Sequence, residues 1–177
     1  MTDSITATAT ELFYTPEVQP NLALQLGRLI TRWGWPEAIA EDIIAGLLST
    51  HTSLLYPITA DIAIGTRLKH LRMIAKLRLG DPSEFRKLVR VITRMEKLCQ
   101  WRNQIIHGLW YKGDIEGDTA LVMETRPTKD AEIRPIGQYF NELWILYLVN
   151  ETARCTSALW RFGKTYNLIL PPLESSP

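Results

Sequence analysis

Residues 80–82, Gly-Asp-Pro, separate two long runs of helical periodicity and constrain the fold more than any other short stretch of the chain. Gly80 suits the left-handed conformation that closes a helix. Asp81 suits the cap of the next helix, Pro82 its first turn, and Glu84 the reciprocal half of a capping-box-like pair. Upstream, the spacing predicts a helix from about Asp61 to Leu79 that turns Leu68, Leu71, Ile74, Ala75 and Leu77 inward. Downstream, Phe85, Leu88, Val89, Ile92, Met95, Leu98, Cys99 and Ile106 recur at three and four,. That helix is expected to run to about His107, with Gly108 as its stop.

The rest of the chain follows the same rules. Leu22, Leu26, Leu29, Ile30 and Trp33 predict a first helix from Asn21. The string WGWP is expected to break it, and Pro36 then opens a second helix carrying Ile39, Ile43, Ile44, Leu47 and Leu48. Tyr56-Pro57 ends the connection that follows. Residues 109–126 change period: aromatic and β-branched residues flank GDIEGD, which reads as a hairpin. Asp114, Glu116 and Asp118 lack calcium-loop spacing, so a polar turn is expected there. A last helix is expected from about Ile136 to Phe162, apolar on two sides. One side holds Phe140, Trp144, Leu148, Cys155 and Leu159; the other holds Tyr139, Leu143, Leu146, Ala153 and Trp160. An arc that wide belongs at the centre of a bundle or against a second subunit. The fold class expected is therefore all-α, about five helices with a small β-hairpin insertion before the last long helix. One domain spans 1–177, with 1–18 and 164–177 loosely ordered.

At 177 residues, with 46% hydrophobic and 22% charged residues, the chain has the balance of one globular domain able to bury a core,. Its longest strongly apolar run, residues 143–149, is too short for a bilayer, which needs about 20 residues,. The first thirteen residues lack the basic and apolar regions of a signal peptide, so a cytoplasmic location with no membrane partner is expected. Cys99 and Cys155 do not form a disulfide framework and are expected as buried free thiols. No metal-ligand spacing occurs, and neither a metal nor another cofactor is expected.

The net charge of +1 hides an asymmetry. Residues 67–102 hold eleven Lys and Arg against Asp81, Glu84 and Glu96, a balance of +8. Such a block is either a solvated pair of helix faces or a footprint for a polyanion. Arg86, Lys87, Arg90, Arg94 and Lys97 are the candidate phosphate contacts. His51 suits a turn, and His70 a surface position.

The block runs into CQWRNQIIHGLWYKG, residues 99–113. Glu96, Gln100, Asn103 and His107 form a polar line along an otherwise apolar helix. Arg102 is five residues from His107, about 140° around the axis, so the two do not meet on a straight helix. Either the last turn unwinds, or a second copy of the helix supplies the partner. Taken singly, a terminal His is a helix cap and an Arg an ion-pair partner. Together with Asn103 they suit attack at phosphorus: imidazole moves a proton, guanidinium stabilises anionic charge, and the amide orients. Trp110 and Tyr111 suit either stacking on bases or packing of the hairpin on the bundle.

The string RNQIIH resembles the R-x(4–6)-H motif of the HEPN superfamily, whose arginine is typically followed by a polar residue. HGLW leading into a hairpin and a long final helix is also similar to that group, over roughly residues 60–163. The resemblance implies an all-α homodimer in which two motifs face one cleft. It implies a metal-independent endoribonuclease whose nucleophile is the RNA 2′-hydroxyl, leaving a 2′,3′-cyclic phosphate. Arg102, Asn103 and His107 would be its catalytic residues, and a partner antitoxin is possible in a toxin or defence setting. Other members are non-catalytic RNA-binding or scaffold proteins, and that alternative stays open, as does a small-molecule sensor. Some HEPN toxins carry a modifiable Tyr two residues after the His; here that position is Leu109.

Overall fold

The computed structural model describes residues 20–112, 119–127 and 133–169. Its elements are α1 (Pro20–Leu47), α2 (Thr52–Thr59), α3 (Ile64–Arg78), α4 (Pro82–His107), β1 (Leu109–Lys112), β2 (Thr119–Pro127), β3 (Ile133–Asn141) and α5 (Glu142–Thr165). The protein is an all-α bundle, with a small antiparallel sheet inserted before its last long helix.

Helix α4 starts where its capping residues direct. Asp81 accepts from the Ser83 amide at 2.7 Å and the Ser83 hydroxyl at 2.9 Å, with Pro82 in the first turn. Glu84 does not close a reciprocal box; it pairs with Lys87 at 2.7 Å and accepts from the Tyr166 phenol, whose pKa is pushed up to about 12. The neighbouring caps are not left-handed: Leu79 ends α3 at φ −83°, and Gly108 ends α4 at φ −75°. The Ser83 hydrogen bonds hold the Asp81 carboxyl below its ordinary value of 3.8. A carboxyl whose folded pKa is depressed stabilises the fold above its unfolded pKa, and that contribution disappears as pH falls through the lower folded value. We expect Asp81→Ala to flatten the acid limb of a melting-temperature profile below about pH 4. A mutant profile parallel to the wild type would remove this cap from the acid response.

Helix α1 corrects the expected break at WGWP. It runs unbroken through Pro36, so the two helices expected there are one, and α2 makes up the fifth. An interior proline costs about 3 kcal/mol. Leu22, Leu29, Trp33, Ile39, Ala40 and Ile43 nevertheless bury along one stripe on both sides of it. Each large apolar side chain so buried returns about 1.5–3 kcal/mol, and the stripe outweighs the proline. Helix α2 is capped by His51, whose Nδ1 accepts from the Ser53 amide at 3.3 Å, and it contains Pro57. Its far end is held by Arg67, which donates to the Thr59 carbonyl at 2.6 Å and pairs with buried Glu41 at 3.4 Å. Leu77, expected inside, is exposed on α3, as is Leu48 after α1.

The last helix is also shorter than expected. Residues 136–141 belong to β3, which pairs with β2 from Thr119↔Asn141 to Pro127↔Ile133. Pro135 and Gly137 are poor helix formers, and Asn141 caps α5 by accepting from the Trp144 amide at 2.8 Å,. The β1–β2 hairpin is present, and β3 makes it a three-stranded sheet. Ile145, Leu148, Val149, Cys155 and Leu159 form the buried face of α5, while Leu143 and Trp160 are exposed. The wide apolar arc therefore reduces to one buried face and an outer one.

The expectation of loose order from residue 164 fails as far as Ile169. Asn167 takes φ 54°, the Leu168 amide donates to the Gly163 carbonyl at 2.8 Å, and the Asn167 amide to Lys164 at 3.2 Å. This is a Schellman closure with Asn in the left-handed position. Ser49 plays the same part after α1, at φ 55°. The closure turns Leu168 onto Gly46 and Ile169 onto Gly163 and Ile43. Residues 1–18 and 170–177 lie outside the described residues.

Candidate functional site

The end of α4 carries the motif, and it is held from three sides. Trp101 points toward Phe140 and Trp144, with ring centroids 6.2 and 5.2 Å away. This aromatic cluster ties α4 to the start of α5. Cys99 is buried, and desolvation pushes its thiol pKa up, partly countered by Arg102. Asn103 Nδ2 donates toward Cys99 Sγ at 3.8 Å and its Oδ1 accepts from Arg102 at 3.1 Å. The Arg102 guanidinium lies over the Trp33 ring of α1, 5.8 Å from its centroid. Arg102 Nε and Trp33 Nε1 are both buried, with no hydrogen-bond partner among the described residues.

His107 is placed quite differently. It is exposed in the last turn of α4, and no described residue hydrogen-bonds its ring. That turn does not unwind: the Gly108 amide still donates to the Gln104 carbonyl at 2.9 Å. Of the two ways to bring Arg102 and His107 together, the first is therefore excluded within this structure. Arg102 and Asn103 are joined to each other, and His107 stands apart on a different side of the same helix.

The basic block is not a uniform footprint. Arg67 is buried against Glu41, Arg72 pairs with Glu96 at 2.6 Å, and Arg78 Nε caps α1 through the Leu47 carbonyl at 2.7 Å. Arg94 joins Arg154 on the buried carboxylate of Glu151, which holds the Arg94 guanidinium pKa above its ordinary value. Lys87 is tied to Glu84. Among the candidate phosphate contacts, Arg86, Arg90 and Lys97 are exposed and make no ion pair among the described residues. They sit at four- and seven-residue spacing along the outer face of α4. Trp110 and Tyr111 lie on β1, opposite Val122 and Leu121; their side chains lie outside the described residues.

Trp33 is the site residue that the sequence did not mark as functional. It reads there only as one apolar position in a stripe, and nothing local links it to an arginine so far along the chain. No described helix is long and apolar enough to cross a membrane. The chain matches no family model, no curated protein and no solved structure.

Proposed function

We propose that this protein is a cytoplasmic, HEPN-like, metal-independent endoribonuclease that acts as a homodimer. Arg102 stabilises charge at phosphorus, Asn103 orients, and His107 moves the proton of the 2′-hydroxyl. The observation that carries the reading is the fixed Arg102–Asn103 pair behind an exposed His107 on an unbroken helix end. A preorganised cation and a solvent-facing base, brought to one phosphate from two copies, are what in-line attack by a ribose hydroxyl needs. Because Arg102 and His107 diverge, two copies are required to compose one site. The test is incubation of purified protein with end-labelled RNA in EDTA. Fragments ending in 2′,3′-cyclic phosphate support the proposal, and intact RNA at micromolar enzyme counts against it.

A second reading is favoured by the contacts of Arg102 with Trp33 and Asn103, which also serve to hold α1 on α4. On that reading the protein binds RNA, or a partner such as an antitoxin, without turnover. Both readings share a phosphate-contacting face made by Arg86, Arg90 and Lys97. Affinity for single-stranded RNA is expected to fall steeply with salt, each phosphate contact adding about 0.7 to the logarithmic slope. The double replacement Arg86→Ala, Arg90→Ala is expected to reduce that slope by about 1.4 in a filter-binding titration. An unchanged slope would move the RNA path off this face. Arg94 is a poor choice for charge reversal, because Glu151 would then face a like charge in the core.

A further inference from the structure

Helix α5 buries a carboxylate where its neighbours are apolar. Glu151 lies between Leu148 and Cys155 on the buried face, and its side chain is 1% exposed. Two guanidiniums reach it from the surface. Arg94 of α4 pairs with Oε2, and Arg154 of α5 donates to Oε1 at 2.7 Å. The side chains of these arginines are 58% and 76% exposed. Arg94 also donates to the Tyr147 phenol, which fixes it from a second side.

Taking a carboxylate out of water costs more than placing an apolar side chain there, and its ion pairs seldom return the difference. Stability therefore does not account for Glu151. What the carboxylate does is orient. A surface arginine ordinarily samples many rotamers. Here part of each planar fork is pinned inward, and the other N–H donors of both are left for a ligand.

The pinned pair sits in a basic seam. Helices α4 and α5 run antiparallel, with Trp101 against Trp144 at one end and Glu84 accepting from Tyr166 at the other. Along α4, Arg90 is one turn before Arg94 and Lys97 one turn after it,. Along α5, Arg161 is two turns beyond Arg154 on the same edge,. All three are exposed and make no ion pair among the described residues. Arg154 and Arg161 lie outside the basic block that the sequence displays. Cations repeated on both sides of a fixed guanidinium pair suit a repeating anion, and the planar fork suits phosphate oxygens.

We propose that Arg94 and Arg154, held by Glu151, form a phosphate-binding clamp in the seam between α4 and α5. Its ligand is a phosphate group of single-stranded RNA, an assignment that rests on the RNA reading above. Arg94 lies eight residues before Arg102 and thirteen before His107. Along the helix that is about 12 and 20 Å, so the clamp holds the strand away from the reacting phosphate.

Fluorescence anisotropy of the full chain with labelled 5′-hydroxyl RNA tests the clamp. Arg154→Gln and Arg154→Lys are each expected to weaken binding about tenfold, because lysine keeps the charge and loses the fork. Glu151→Gln adds one unit of positive charge, and it too is expected to weaken binding, because the arginines are released. A patch acting by charge alone would instead bind tighter in Glu151→Gln and be unaffected by Arg154→Lys; either result would overturn the clamp. Arg154 is exposed, so its two variants should keep the helical circular dichroism and carry the test even where Glu151→Gln does not fold. Lys69→Gln, on α3, removes a charge elsewhere and should change affinity little; a loss as large as that of Arg154→Gln would also overturn the clamp. Competition with inorganic phosphate separates the sources of the ligand. Displacement of RNA at millimolar phosphate assigns the clamp to a free or terminal phosphate, and resistance assigns it to the backbone diester. Displacement by poly-glutamate as readily as by unlabelled RNA would replace the nucleic acid with an acidic protein and overturn the proposal. Wild-type protein that binds RNA through the clamp and cleaves none would leave this inference standing and remove only the ribonuclease reading.

Discussion

On the proposed mechanism, His107→Ala lowers RNA cleavage by about 10²–10⁴-fold, the usual contribution of a positioned acid or base. At 1.36 kcal/mol per factor of ten, that is roughly 3–5.5 kcal/mol of transition-state stabilisation. The substitution separates chemistry from folding cleanly. His107 is exposed at the end of α4, and its ring makes no hydrogen bond to a described residue. Melting temperature and RNA affinity should therefore change little. Arg102→Ala should be less clean, since Arg102 also packs on Trp33 and bonds Asn103. An RNA with a single 2′-deoxy sugar at the cut site should resist cleavage, because the nucleophile is gone. Activity should persist in EDTA, because the attacking oxygen belongs to the substrate. Full activity of the His107 variant, or cutting of the deoxy substrate at the RNA rate, would sink this mechanism.

The second large effect concerns the fold. Gly46→Ala is expected to destabilise the protein, although alanine is the better helix former by about 1 kcal/mol. A Cβ at residue 46 would overlap the Leu168 carbonyl and sit 2.5 Å from the Leu168 Cα. These are backbone atoms fixed by the Schellman closure, so no side chain can swing away. Either α1 shifts off α5, or residues 166–169 lift and uncover Ile169. Overpacking of this kind costs about 1–3 kcal/mol. Less the roughly 1 kcal/mol that alanine gains in the helix, we expect a net loss of about 1–2 kcal/mol, or a fall of about 2–8 °C in melting temperature for a chain of this size. Thermal melts of the variant check it; an unchanged or higher melting temperature would show that the 166–169 turn is not held against α1.

Local chemistry decided what could be read early. Asp81 and Pro82 set the start of α4, and the apolar stripe through Leu88, Ile92, Met95 and Leu98 set its buried face. Both signals act within a turn or two, where a capping oxygen or a helical period leaves little choice. The Arg102–Asn103 hydrogen bond is also local, between neighbours in the chain, but the sequence reading gave the two side chains separate roles and did not pair them. The divergence of Arg102 and His107 follows from their spacing alone once the helix stays intact.

Other features were decided by distant residues. Pro36 is a strong local stop, yet α1 passes through it because Trp33 on one side and Ile39 and Ala40 on the other bury in the same core. Residues 136–141 join a sheet because β2 offers them partners, and Asn141, inside the helix expected from Ile136, instead caps α5. The +8 block is plain in the sequence, but its meaning is not. Only the folded chain assigns Arg67 to Glu41, Arg72 to Glu96 and Arg94 to Glu151, and leaves Arg86, Arg90 and Lys97 facing solvent. The same holds for Trp33 beneath Arg102. The sequence by itself determined the helices whose caps and stripes are local, the order of the motif residues and the sign of the charge. The tertiary structure decided where helices continue, which cations are already paired and what holds the arginine, because burial and ion pairing depend on residues far apart in the chain.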